Sequence, residues 1–474
     1  MKNQKTILIY MLLLFCGLTA CKKALELNPI TEYADANFWK ETTQATAALN
    51  GAYTLLQAAM GPEGVFYGEA RADNVSQNLT SLNTESLNLL TNNVNPSLRI
   101  TSWSQLYAVV NQANLIIKNV RLMNEKGLYA NKTAEFNQTL GQAYALRALC
   151  YFNMTRIWGA LPLITQPLKD ATENYLVARS DTEKVYTQIE LDLDSATVLL
   201  PTSYTPSQTT KALLTAGAVN AIYTDLYMWR HQYEKALTAS QKIITNTANY
   251  SLTSLTDATA LENTSYARQF THGFSTESIF EIDFNFAERG ARSFYIQVYG
   301  DIGFQPAFQA GIPLMTKFQP NDKRAAISYN DRRDIIKFFD KTNFVRSTMD
   351  DKNIIMYRLS DILLLRAEAL NQLDRPAEAI AIVNQMKVRA GETALQPVDY
   401  TSLNKSQVED IILNERSKEL CFEGKRWFDL VRTKKAISVM QPINGLNNED
   451  NYVWPINLNE IRLNSLLKQN SYYQ

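Results

Sequence analysis

Histidine is nearly missing: there are 2 in 474 residues. That leaves almost no room for a metal centre built on several histidines. Net charge is also missing, with Lys+Arg 47 against Asp+Glu 47. The chain has no overall field to draw nucleic acid or an anionic membrane surface. Cysteine is scarce, at 4, so no disulfide framework staples the fold. A chain of this length needs none, because it can bury a large core. Past the N-terminus, no stretch approaches about eighteen consecutive apolar residues, so nothing later reads as a membrane-spanning helix. A composition of 46% hydrophobic and 20% charged residues excludes disorder. Aromatics are plentiful, with Tyr 24, Phe 19 and Trp 6. Tyrosine has an apolar face and a polar tip, which suits a surface that binds something flat and polar.

The first twenty residues read as an address. Lys2 and Lys5 precede an apolar run from Ile7 to Cys16, followed by Gly17-Leu18-Thr19-Ala20. A basic start, a short apolar stretch and small residues before a cut form a secretory signal. Leu18-Thr19-Ala20-Cys21 resembles a bacterial lipobox, which implies cleavage after Ala20 and a lipid on Cys21. An ordinary secretory signal with an incidental cysteine is the alternative. Several acyl chains would hold the protein on a membrane firmly, each buried methylene adding about 0.8 kcal/mol. Cys150 and Cys421 lie in apolar helical contexts and read as small core residues. A disulfide between them stays open.

The remaining pattern is mainly helical. Asp35 or Asn37 is placed to cap a helix running through Phe38-Trp39 toward Leu56, ended by Gly61-Pro62. Residues 101–122 carry Trp103, Leu106, Val110, Ala113, Ile117 and Val120 on one stripe. Ala143, Leu146, Cys150, Met154 and Ile157 form another helix face, stopped by Gly159 and Pro162. Its partner runs from Val185 to Leu200 and stops at Pro201. A third pair starts at Ala212 and Ala216, turns near Arg230-His231 and ends near Ile244. A fourth starts at Ile362, turns at Asp374-Arg375-Pro376 and ends at Gly391. Two of these hairpins resemble tetratricopeptide repeats, through Tyr227, Tyr233 and Ala236 and through Ala367, Leu370 and Ala379. Small residues at helix crossings let backbones approach closely. A generic helical bundle with alanines at its crossings is the alternative.

Two stretches break the pattern. Residues 61–100 are rich in Asn, and about 250–355 is rich in aromatics with scattered Gly and Pro. Ser278 to Phe284 alternates apolar and polar residues, as a short strand does. Long irregular insertions between helix pairs are where function tends to sit.

Several segments, in order, resemble the SusD/RagB family of surface nutrient-binding lipoproteins. They are Cys21 to Pro29, Trp103 to Asn114, Ala145-Leu146-Arg147-Ala148 with Tyr151-Phe152, and Trp158-Gly159 with Leu161-Pro162-Leu163. Further on come Arg358 to Asp361 with Arg366 to Ala369, then Glu415-Arg416 through Glu423-Gly424-Lys425-Arg426-Trp427-Phe428-Asp429-Leu430. Trp454-Pro455-Ile456, Glu460-Ile461 and Gln469-Asn470 complete the set. The sequence departs from the family in its last residues, and in Lys22-Lys23 where an acidic cluster is usual. The resemblance implies a mainly α, SusD-like scaffold with four divergent tetratricopeptide-type hairpins and a loop-rich, minor-β part facing the ligand. As units, it implies a signal at 1–20 and one body at 21–474. That body comprises a helical scaffold over about 30–250 and 355–440, an insertion over about 250–355 and a tail over 440–474. It further implies an outer-membrane, lipid-anchored protein at the cell surface, partnered with a TonB-dependent SusC-like transporter. The ligand it implies is an oligomeric nutrient, a glycan or else a peptide, bound without cofactor or metal. Nucleic acid is not a partner.

The motifs that look chemical read as structural. Glu415, Glu419 and Glu423, spaced by four beside Arg416 and Arg426, form an ion-pair ladder rather than catalytic carboxylates. Asp192 with Asp194 diverge on a helix, and Glu281 with Asp283 share a strand face. Neither spacing suits a glycosidase pair. No nucleophile elbow or phosphate loop appears. A sugar ring presents C–H groups to an aromatic face and hydroxyls to amides. Tyr67, Arg71, Asp73, Asn74 and Asn78 in the first irregular stretch, and Tyr266, Tyr295 and Phe304 in the second, are the ligand-binding expectations. Arg71 and Asp73 suit a buried structural pair equally well. An enzyme, and a scaffold or adhesin, stand behind the binding protein as further readings.

Overall fold

The computed structural model describes residues 38–78, 84–168, 176–284, 307–339 and 352–474. The signal, Cys21 and the expected caps Asp35 and Asn37 lie outside these residues. The longer helices are α1 (Thr42–Met60), α2 (Pro62–Glu69), α3 (Ser104–Glu125), α4 (Thr133–Trp158), α5 (Thr182–Leu199), α6 (Ala216–Trp229) and α7 (Tyr233–Ile244). They continue as α8 (Leu359–Gln372), α9 (Pro376–Ala390), α10 (Lys405–Glu419), α11 (Arg426–Arg432) and α12 (Ala436–Asn444). Short strands pair antiparallel: β1 (Val75–Gln77) with β5 (Phe308–Ala310), β2 (Leu161–Pro162) with β3 (Arg179–Ser180), and β4 (Ser278–Ile282) with β6 (Ile354–Arg358).

Local chemistry sets the helix ends. Gln44 Oε1 accepts from Lys40 N and Glu41 N at 2.8 and 3.0 Å, fixing the start of α1. Leu200 is extended because Pro201 follows it. Ala212 does not open the third hairpin as expected. It closes a separate short helix, Ser207–Ala212, and Thr215 Oγ1 caps α6 by accepting from Ala218 N at 3.2 Å. The turns come where the sequence puts them, with His231 at φ 56° and Asp374 at φ 62°. Gly391 ends α9 at φ 95°, a conformation glycine adopts without steric cost.

Consecutive helices pack pairwise, α3 on α4, α4 on α5, α6 on α7 and α8 on α9, and α7 packs on α8 across the insertion. Ala236, Ala367 and Ala379 are buried at these crossings. From Thr139 to Trp158, α4 is buried all round, as a central helix must be. Its polar members are paired: Arg147 with Asp192 at 2.6 Å and Arg156 with Asp225 at 2.8 Å. Asp194 instead accepts from Tyr223 Oη, so the two aspartates diverge as the helical spacing predicts. Cys150 and Cys421 are both buried and unpaired.

The strand expected from the alternation at Ser278 to Phe284 forms as β4. All five residues of β4 are buried, under the short helix Ser207–Ala212 and α6. Its polar side chains are satisfied internally instead. Asp283 lies past its end and is exposed, so Glu281 and Asp283 do not form a face-sharing pair.

The glutamate ladder of α10 and the loop after it bonds arginines. Glu419 accepts from Arg324, Arg358 and Arg389 at 2.9, 2.7 and 2.6 Å. Glu277, next to β4, accepts from Arg358 at 2.6 Å and Arg389 at 3.0 Å. Glu415 bonds Arg324 at 2.7 Å, and Glu423 bonds Lys337 at 2.6 Å. Burial alone would raise the Glu419 carboxyl, but Arg389, Arg358 and Arg324 more than reverse this and hold it well below the usual range. Glu419→Ala therefore takes one acid from each of three buried guanidinium groups and leaves the cluster with excess positive charge. It should cost about 3–5 kcal/mol, read as a lowered urea midpoint with an unchanged slope.

Candidate functional site

One groove has a volume of about 660 Å³. The short helix Ser207–Ala212 supplies one wall, with Pro206, Gln208, Thr209 and Leu213. The other wall is the turn His272-Gly273-Phe274, the end of β4 at Asp283-Phe284 and the entry to β6 at Lys352-Asn353. A smaller cavity of about 230 Å³ shares Thr271 and His272 with it.

One buried carboxylate shapes that second wall. Glu281 accepts from Phe274 N at 2.9 Å and from Asn353 Nδ2 at 2.8 Å. Asn353 Oδ1 in turn accepts from Phe284 N at 3.0 Å. The turn, the β4 end and the β6 entry are thus tied to one another. Gly273 and Phe274 are both left-handed, at φ 69° and 52°. For phenylalanine that conformation is rare and costs about 1–3 kcal/mol, held here by the Glu281 bond. Burial raises the Glu281 carboxyl, offset in part by bonds from Ser278, Phe274 N and Asn353. Lys211, on the helix opposite, is pushed down to about 8 by burial, against the pull of Glu281.

The groove is mixed in chemistry. Phe274 is half-buried, while His272 and Asp283 are exposed. Lys352 Nζ donates to Thr271 O at 2.9 Å, and Thr271 Oγ1 lies 2.8 Å from His272 Nδ1. An aromatic ring flanked by an ammonium, a carboxylate, an imidazole and the Gln208 amide can hold a polar, hydroxyl-rich or amide-rich molecule. Among the described residues, no group of three His, Cys, Asp or Glu is placed to hold a metal.

The ligand residues expected from sequence are not here. Tyr67 donates to Ile100 O at 3.1 Å and packs edge-on against Trp158 and Trp454. Arg71 is fully buried, donates to Asn451 O at 2.7 Å and lies 4.2 Å from the Trp427 ring centre. Asp73 bonds Arg426 at 2.6 Å and Lys317 at 2.7 Å, so Arg71 and Asp73 are structural but not a pair with each other. Asn74 bridges Glu69 and Ser417 at 2.9 and 2.6 Å. Asn78 and Tyr266 are buried, Tyr266 edge-on to Phe270 and under Arg389. Folding places all six inside, because polar loop residues that look ligand-facing in sequence meet distant partners. Tyr295 and Phe304 lie outside the described residues. His272 and Phe274 belong to the aromatic stretch of the sequence, whereas Gln208, Thr209 and Lys352 carry no such signal. The sequence signal was a Gly-Phe step beside one of two histidines, within the aromatic stretch.

A helical frame carrying an open groove of this composition defines a ligand-binding protein. A SusD family profile matches residues 319–473, and one described as starch-binding associating with outer membrane matches residues 31–228. The SusD-like protein P38 of Formosa agariphila is 32% identical, with 100% of each chain covered. The SusD-like protein P2 of the same organism is 28% identical over 99% of each. A SusD superfamily protein from Bacteroides thetaiotaomicron superposes with a TM-score of 0.76 over 92% of this chain and 99% of its own, at 23% identity. B. fragilis NanU gives 0.76 over 94% and 100%, also at 23%. These two structures bear on the fold. The chain belongs to the SusD/RagB family of outer-membrane nutrient-binding proteins. The family role is to bind a nutrient and deliver it to a SusC-type transporter.

Two outcomes follow from this geometry. A Cβ on Gly273 would come 2.6 Å from Asn353 Nδ2 and 2.8 Å from Glu281 Oε2. Gly273→Ala should cost about 1–3 kcal/mol, and hydrogen exchange should quicken at Phe274 and Phe284 ahead of the helices. The second concerns Glu69, which burial pushes from 4.5 up to about 7 against bonds from Asn74 and Phe422 N. The folded chain holds this proton more tightly, so the added stability is full below about pH 4.5 and is lost as pH rises through about 7. Relative to Glu69→Gln, the wild type should lose on the order of 3 kcal/mol across that window, seen in urea titrations at its two ends.

Proposed function

We propose that the protein binds an oligomeric glycan in the groove between the Ser207–Ala212 helix and the His272–Phe274 turn. It hands the glycan, covalently unchanged, to a TonB-dependent SusC-like transporter in the outer membrane. The observation that carries this reading is the clamped Phe274 in an open polar groove of about 660 Å³. That volume takes several sugar rings, and a preset ring loses little freedom on binding. Tyr295 and Phe304 keep their sequence-based assignment to the ligand. The lipobox supports a lipid on Cys21 that anchors the chain at the cell surface. The buried alanines Ala236, Ala367 and Ala379 support the tetratricopeptide-type reading of the helix pairs.

The carboxylates of the ladder are engaged by guanidinium groups, which supports a role without bond cleavage. A peptide is the second reading, favoured by the Gln208 amide and the charged pair Asp283 and Lys352 in the groove. Isothermal calorimetry of the purified protein against glycan and peptide panels tests both. Heat is expected with at least one glycan class, weakened about ten-fold by Phe274→Ala, which is the ~1.4 kcal/mol a ring contact supplies. Heat with peptides alone would overturn the glycan, and a shortened oligomer in the recovered ligand would overturn the non-catalytic role.

A further inference from the structure

A second cleft, of about 370 Å³, lies between α5, α6 and α7. It shares no lining residue with the groove. Asn220, Tyr223 and Tyr227 follow one another along one face of α6 and line it. Tyr223 and Tyr227 stack with centroids 5.3 Å apart and planes 17° apart. Across from them, Tyr223 Oη donates to Asp194 on α5. The charges that line the cleft balance in number, Asp194 and Glu234 against Lys235 and Lys242.

Asn220 is the unusual member. It is 6% exposed, and its Nδ2 donates to Ala216 O at 2.6 Å. Its Oδ1 has no hydrogen-bond donor among the described residues. A buried carbonyl left so costs about 1–3 kcal/mol, so a donor from outside the chain belongs there. Other buried orphans, such as Tyr129 Oη and Trp454 Nε1, line neither the cleft nor the groove. The cleft far exceeds one water, whose share of liquid volume is about 30 Å³. Thr197 and Thr238 donate to the carbonyls of their own helices, Leu193 O at 2.8 Å and Glu234 O at 3.0 Å. Their oxygens are left as acceptors. The cleft is therefore rich in acceptors and neutral, which selects a neutral ligand with many hydroxyl groups.

We propose that this cleft is a second binding site, for one neutral saccharide unit of a glycan. Recognition there runs through hydrogen bonds more than stacking. The Tyr227 ring already carries Tyr223 and, 5.0 Å from its centre, Lys235 Nζ. Its edge and phenol face the ligand. A weak second site on the scaffold retains a long chain near the protein while the groove engages another part of it.

Saturation-transfer NMR of the full-length protein tests this, with maltose, cellobiose, laminaribiose and diacetylchitobiose as probes. Thr238 is exposed, so Thr238→Trp fills the cleft without disturbing the core, and Asn220→Leu removes the orphan acceptor. Signal from at least one disaccharide is expected to fall in either cleft variant, to fall also in Phe274→Ala, and to be lost only when a cleft variant is combined with Phe274→Ala. Signal that survives both cleft variants and vanishes in Phe274→Ala overturns the second site and leaves the proposed function standing. Signal lost only in the cleft variants supports the second site and overturns the groove. Silence from every disaccharide overturns both. Signal from trialanine alone, abolished by Thr238→Trp, overturns the saccharide assignment.

Discussion

Glu419 is fully buried and bonds three arginines drawn from three separate parts of the chain. Arg324 comes from the insertion, Arg358 from the end of β6 and Arg389 from the end of α9. A carboxylate in that position needs compensating positive charge, and each guanidinium needs its acids in return. The helix Lys323–Ser328 is therefore tied to α10 through Arg324. Glu277 shares Arg358 and Arg389 and sits at the start of β4, so the same network fixes where that strand begins. The groove wall is built from the strand's other end.

Two buried glutamates flank this strand pair and behave oppositely. Glu277 meets guanidinium groups, which hold it down to about 2 against its burial. Glu281 meets a backbone amide, a hydroxyl and a carboxamide, and burial raises it. The first glues segments by charge. The second sets a backbone shape by hydrogen bonds and holds Phe274 in a conformation the chain would otherwise avoid. Charge pairs tie the frame together, and hydrogen bonds to Glu281 tie the groove wall.

Such a frame suits carrying over cutting. Hydrolysis of a glycoside needs a carboxyl kept protonated beside another kept ionised, both facing the substrate. Glu415, Glu419 and Glu423 face arginines and a lysine in the interior, locked in ion pairs. Among the described residues, the groove is lined by Phe274, Phe284 and scattered polar groups.

Helices, their stops and their turns were legible in the sequence, because apolar spacing and residues such as Pro201, Asp374 and Gly391 act over a few positions. The ladder of Glu415, Glu419 and Glu423 was legible as structural from the same short-range spacing. Arg71, Asp73 and Asn74 misled. Their partners Asn451, Arg426 and Ser417 lie more than three hundred residues along the chain, and no local pattern announces them. The complete burial of β4 was hidden as well, since alternation in sequence cannot reveal which helices pack on it. The sequence by itself determined the elements and the family, through contacts between near neighbours. Only the tertiary structure decided which polar side chains are consumed inside and which remain for a ligand, because that choice depends on charges meeting across the whole chain.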